Sequence, residues 1–143
     1  MVNVILSEDC GNSPKNQFLE KLTIAFAQGD TEFILSKVMP DIRWQLVGQK
    51  QIEGRNALAA ALAQRPDNKV VELTIHHVMT HGKAGAVNGT LTLAGGETRA
   101  FCDVYEFNGA KASSIRAITS YMITLSGENK VSIPGLEQQA CMD

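Results

Sequence analysis

Apolar positions along the chain change period partway through. In the first third they recur at helical spacing. Phe18, Leu22, Ala25 and Phe26 form one stripe, as expected of a helix burying one face. Ser13 before Pro14 is a start signal, an N-cap followed by a good first helical residue, and Gly29 is the stop. Asp30 can cap a second, shorter helix carrying Phe33, Ile34 and Val38, which Pro40 ends. Ile42–Val47 reads as a short strand, with a brief strand possible around Gln51–Ile52. Arg55–Gln64 reads as a third helix, with Leu58 and Leu62 one turn apart. From Val70 onward the period is that of strands: Val70–Thr80, Ala84–Leu93, Arg99–Phe107 and Ser113–Leu125, joined at hairpin-length turns. Residues 1–12 read as a loose lead-in. The tail from Ser126 has no period.

The order is helix, helix, strand, helix, then four strands. Consecutive strands with tight turns pair antiparallel. Helices gathered early must cover one face of that sheet. The architecture is α+β, with a cavity expected between sheet and helices, where small ligands bind.

The last hairpin carries the candidate chemistry. Arg99, Phe101, Asp103, Tyr105 and Phe107 share one parity, and in a strand one parity faces one side. Asp103 therefore sits among aromatics. Buried without a cation, its carboxyl should hold its proton more tightly than in water. The alternative is a structural aspartate bonded to Arg116 or to a backbone amide. On the next strand, Ile115, Ala117, Thr119, Tyr121 and Ile123 alternate against Ser114, Arg116, Ile118, Ser120 and Met122. Alternation also groups His77 with Leu73, Ile75 and Met79, and His76 with Glu72 and Thr74. His77 could serve as a base, since imidazole titrates near neutral pH; a satisfied or interfacial histidine is the other reading.

Composition narrows the classes of function. The chain has 143 residues and a net charge of −2, which fits one domain, ordered over about 13–125. A balanced charge argues against nucleic acid, because phosphate binding needs a basic patch. Cys10, Cys102 and Cys141 are widely spaced and odd in number, and no metal-binding spacing appears. That favours reduced thiols in a cytoplasm over a disulfide framework or a metal site. Neighbouring strand residues such as His76 and His77 point to opposite faces and cannot ligate together. No cofactor signature is present. Val2–Leu6 is too short for a signal peptide, and no run reaches the length of a membrane span.

Five motifs in order carry a resemblance. They are Phe26-Ala27-Gln28-Gly29-Asp30, Asp41-Ile42-Arg43-Trp44, Gly54-Arg55-Asn56-Ala57-Leu58, Phe101-Cys102-Asp103-Val104-Tyr105-Glu106-Phe107, and Ile115-Arg116-Ala117-Ile118-Thr119-Ser120-Tyr121. Together they resemble the nuclear transport factor 2-like superfamily, in its SnoaL-like branch. The resemblance implies a cone: three N-terminal helices packed on a curved, mainly antiparallel sheet, and a homodimer paired through the outer face. It implies a small hydrophobic, carbonyl-bearing ligand in the cone. Asp103 falls where the ketosteroid isomerases of the superfamily place a protonated acid. Their partner tyrosine falls at Leu22, and their base at Leu46 or Gln45. Epoxide hydrolases place an aspartate where Ala117 stands. The implied pocket comprises Trp44, Phe101, Asp103, Tyr105, Thr119 and Tyr121, with Phe18 and Leu22 as floor. On this reading Val78, Val104, Ile118 and Met122 lie on the opposite, dimer-forming face. Three functions stay open: a binding protein, an isomerase, cyclase or dehydratase using Asp103 as acid, and a protein-interaction module.

Overall fold

A computed structural model describes residues 2–6, 13–64, 69–109 and 114–125. These hold three helices, α1 (Pro14–Gln28), α2 (Thr31–Ser36) and α3 (Arg55–Ala63). They hold seven strands: β1 (Asn3–Leu6), β2 (Val38–Leu46), β3 (Lys50–Glu53), β4 (Val70–His81), β5 (Ala84–Leu93), β6 (Thr98–Phe107) and β7 (Ile115–Leu125). The strands form one sheet in the order β1-β4-β5-β6-β7-β2-β3. Four of its pairings are antiparallel. The pairings β1–β4 and β2–β7 are parallel. The irregular tail expected from Ser126 lies outside the described residues, as do Cys10 and Cys141.

The helix boundaries follow the capping chemistry. Ser13 accepts from the Asn16 N–H, and Gly29 closes α1 in the left-handed region at φ 75°, where glycine carries no steric penalty. Asp30 caps α2 through the Phe33 N–H. α1 packs on β4 and β5, and α3 on β2 and β3. Asn16 ties α1 to β4 by accepting from Thr80 Oγ1 at 2.6 Å and donating to Val78 O at 3.3 Å.

Two elements differ from the sequence expectation. Residues 3–6 are not a lead-in but an edge strand, made by parallel pairing with Glu72–Ile75. Val38 does not end α2; it opens β2, which runs through Pro40. The β2–β7 register shifts between Val38 and Arg43, so the proline falls in an irregular stretch that needs no ladder donor.

Two bulges set which side chains face the helices. The β4–β5 register slips between Ile75 and His77, and the β6–β7 register slips between Glu106 and Phe107. A bulge places two residues opposite one and reverses the parity beyond it. Leu73 and Ile75 are buried, and after the slip so is Val78, while Met79 is 58% exposed. Likewise Ile115 and Ile118 are both buried. The parity expected for β7 is therefore reversed. Ile118, Ser120 and Met122 face inward with Phe101, Asp103 and Tyr105, and Thr119 and Tyr121 face outward. Of the four residues expected on the outer face, Val78, Ile118 and Met122 are on the inner one; Val104, 41% exposed, is on the outer.

Candidate functional site

Between the helices and the inner face of the sheet lies a cavity of about 400 Å³. α1 contributes Thr23, Phe26 and Ala27; β2 contributes Trp44 and Leu46. β6 contributes Arg99, Phe101, Asp103 and Tyr105, and β7 contributes Ile118, Ser120 and Met122. Val70, Leu73, Leu91 and Leu93 extend the apolar wall along β4 and β5. Lys69 and Gln49, both exposed, mark the mouth. Asp103 is the only carboxylate among the lining residues.

A short polar chain serves Asp103. The Trp44 indole Nε1–H donates to Ser120 Oγ at 2.8 Å. Indole is a donor only, so the Ser120 oxygen accepts and its own hydrogen is free to point at Asp103. Asp103 and Ser120 are directly opposite in the β6–β7 ladder. Burial pushes the Asp103 carboxyl up to about 6, and the hydrogen bond from Ser120 opposes the rise. Asp103 keeps some accessible surface because the cavity beside it can admit water; its surroundings are nonetheless protein, and desolvation wins. Among the described residues Arg116 is exposed and forms no ion pair with Asp103.

A second chain fixes Tyr105. Thr23 Oγ1 donates to Leu19 O at 2.8 Å. Its hydrogen being used, it can only accept from the Tyr105 hydroxyl, 3.5 Å away. Burial first, and the Asp103 charge second, raise the Tyr105 phenol well above its ordinary value. Tyr105 therefore stays protonated at neutral pH. The Trp44 ring is held against Phe26, centroids 5.1 Å apart.

The structure thus brings Trp44, Phe101, Asp103 and Tyr105 to one cavity. It does not bring Thr119 or Tyr121 there, because of the β7 bulge. Leu22 is fully buried in the core, and Phe18 packs on Phe107 at 5.8 Å between centroids. Neither lines the cavity; the helical floor is Thr23, Phe26 and Ala27, one position round the helix. His77 faces outward, its Nδ1 2.9 Å from Asn88 Oδ1, which removes it from the inner site. Sequence reasoning missed Ser120, Thr23, Met122, Arg99 and Lys69 as lining groups. A signal for the first was present: two isoleucines three apart, Ile115 and Ile118, cannot share a face without a bulge.

The fold and the site define a class. Residues 18–115, more than half the chain, match the family model of the SnoaL-like domain. The chain belongs to the SnoaL-like family, within the nuclear transport factor 2-like fold. Solved structures agree on that fold. A candidate ketosteroid isomerase from Kribbella flavida is 17% identical, with a TM-score of 0.67 over 83% of this chain and 89% of its own. A nuclear transport factor 2-like protein of unknown function from Burkholderia xenovorans is 18% identical, with a TM-score of 0.65 over 86% of this chain and 89% of its own. An epoxide hydrolase of M. tuberculosis is 21% identical, with a TM-score of 0.62 over 75% of this chain and 80% of its own. At these identities the likeness carries the fold and not the chemistry. No curated protein matches the sequence.

Proposed function

We propose that the protein binds a small hydrophobic, carbonyl-bearing molecule in this cavity, with Asp103 as the group that reads the carbonyl. One observation carries the reading: a single carboxyl among the lining residues, set in a mainly apolar wall and raised to about 6 by burial. Protonated, Asp103 can donate to a carbonyl oxygen while its other oxygen accepts from Ser120. Trp44, Phe101 and Tyr105 supply apolar surface around the bound molecule. The enzymatic alternative uses the same proton transferred as a general acid, since a group near 6 works on both sides of neutrality. The ketosteroid isomerase pattern is incomplete here: Leu22 stands where the second donor would be and Leu46 or Gln45 where the base would be, and none of these can take up a proton.

Met79, Val104, Tyr121 and Ile123 are 58%, 41%, 48% and 66% exposed, and they support a homodimer formed through the outer face. The free Cys102 thiol is compatible with a cytoplasmic setting. Among the described residues no helix is long and apolar enough to cross a membrane.

Trp44, the sole tryptophan, lines the cavity and gives the readout. Its fluorescence should change on titration with the neutral ketone 2-acetylnaphthalene. Affinity should be highest below pH 6 and fall toward pH 8, as Asp103 loses the proton it donates. Asp103→Asn, whose amide still donates, should bind with a flat pH profile. A wild-type profile as flat as that of the variant would refute the assignment.

A further inference from the structure

The two ends of the cavity carry opposite charge. Asp103 is at the inner end, beside the fully buried Tyr105. At the mouth, Lys69 precedes β4 and Arg99 stands near the start of β6, and both line the cavity. The hairpin brings them to one edge: Ala94 N donates to Lys69 O at 2.7 Å, Leu93 N donates to Glu97 O at 2.8 Å, and Leu91 pairs with Arg99. Gln49, in the turn after β2, also lines the cavity. Among the described residues the Glu97 carboxylate engages Arg99, accepting from Nη2 at 2.8 Å and Nε at 3.1 Å. The remaining guanidinium nitrogen, Nη1, reaches over the cavity wall to Met122 Sδ at 3.8 Å. Lys69 forms no ion pair among the described residues. Among the described residues, two cations stand against one carboxylate at the mouth, an excess of one positive charge.

Arg99 and Asp103 share one face of β6 and are four residues apart, about 13 Å at ~3.3 Å per residue. The wall between them is apolar: Leu91, Phe101, Met122 and Ile118. A ligand that satisfies both ends must be neutral and polar where it meets Asp103, apolar through its body, and anionic where it leaves the protein. Reversed, its anion would lie against the Asp103 carboxylate.

We infer that the cavity takes an elongated monocarboxylate, an oxo- or hydroxy-acid whose carboxylate sits at Lys69 and Arg99 and whose neutral oxygen reaches Asp103. This rests on the cavity-binding reading above and adds to it the class and orientation of the ligand. One net positive charge among the described residues of the mouth matches one carboxylate. The exposed Lys69 and the half-buried Arg99 attract it modestly and in a salt-dependent way, so the acid gains a few-fold in affinity over its uncharged ester.

The test uses 9-oxodecanoate and its methyl ester, followed by Trp44 fluorescence at pH 5.5, with competition by 2-acetylnaphthalene to place them in the cavity. The acid should bind about fivefold tighter than the ester at low ionic strength. Lys69→Met should remove most of that advantage, Lys69→Glu should reverse it, and 0.5 M salt should shrink it in the wild type. The ester should bind the wild type and both variants alike. If acid and ester bind equally and Lys69→Met alters neither, the mouth site is overturned while cavity binding stands. If neither ligand perturbs Trp44 nor competes, both readings fall together.

Discussion

The two faces of the sheet use similar side chains to different ends. Each face has one tyrosine and several large aliphatic groups along β6 and β7. On the inner face Phe101, Tyr105 and Ile118 are 6%, 1% and 3% exposed; on the outer face Tyr121 and Ile123 are 48% and 66% exposed. The Tyr105 hydroxyl is held by Thr23, which is itself held by Leu19. Polar atoms on the inner face are linked in chains because an unpaired one there would lose water and gain nothing. The outer face has its own row, His77 to Asn88 to Cys102 to Tyr121, adjacent through the ladder. What separates a site residue from a surface residue is thus which side of a bulge it follows, and not its chemical type.

The largest expected effect comes from breaking the bulge that sets the inner face of β4. Gly89 lies opposite Ile75, where the β4 register slips. A Cβ at Gly89 would fall 1.9 Å from Thr74 O and 3.1 Å from Ile75 Cα. Both are backbone atoms, so nothing can rotate aside. Gly89→Ala should cost on the order of 3 kcal/mol or more and prevent folding at 37 °C, read by urea denaturation or by loss of soluble expression. Gly85 is the control. There a Cβ would meet the end of the Leu19 side chain at 2.5 Å, which can move, and Gly85→Ala should cost less. Equal midpoints for the two variants would contradict the role given to the bulge.

Those bulges also decide how much could be read from the sequence. β6 keeps one register from Thr98 to Glu106, so alternation alone located Phe101, Asp103 and Tyr105 on one face. β7 has the same regular-looking alternation, but the slip near its start reverses it, and Thr119 and Tyr121 replaced Ser120 and Met122 in the expected pocket. His77 was misgrouped by the same mechanism on β4. β1 was illegible for a different reason. Val4 and Ile5 favour strands, but a run of four residues is too short to show a period, and it becomes a strand by pairing with β4, a tertiary condition. Capping residues Ser13, Gly29 and Asp30 act within a few residues of themselves, and so the helix ends were legible. Lys69 and Arg99 are 30 positions apart in sequence, and read singly each looks like a solvated charge; only the hairpin joins them.

An intermediate effect contrasts the faces with the same substitution. Ile118→Asn places an amide between Tyr105 and Trp44, its ladder neighbours, in place of a buried aliphatic group. It should destabilise by about 3 kcal/mol, from lost apolar burial and desolvation of the amide. Ile123→Asn on the outer face should change stability by less than about 0.5 kcal/mol. If the outer face forms the homodimer we propose, Ile123→Asn should also shift light scattering at low micromolar concentration toward the 15.5 kDa monomer mass. A wild type that is already monomeric would remove the dimer proposal and leave the stability contrast intact.

The smallest effect is the most specific to the inner face, because it reads the one carboxyl among the residues that line the cavity. Asp103 is raised from 3.8 to about 6 by burial. A folded-state pKa above the unfolded one means the folded protein binds the extra proton. The contribution is therefore full below pH about 4, and it declines as pH rises through the window from about 4 to 6. Above that window the ionised carboxylate burdens the fold by on the order of 2–3 kcal/mol, less where cavity water screens it. Asp103→Asn keeps the shape and the acceptor for Ser120 but cannot ionise. The variant should match the wild type at pH 4.5 to within about 1 kcal/mol and exceed its stability by about 2 kcal/mol at pH 8. Urea unfolding at both pH values measures the difference directly. Parallel wild-type and variant pH profiles would mean that Asp103 is solvated as an ordinary surface carboxylate, and the inner face would then lose the property that distinguishes it from the outer.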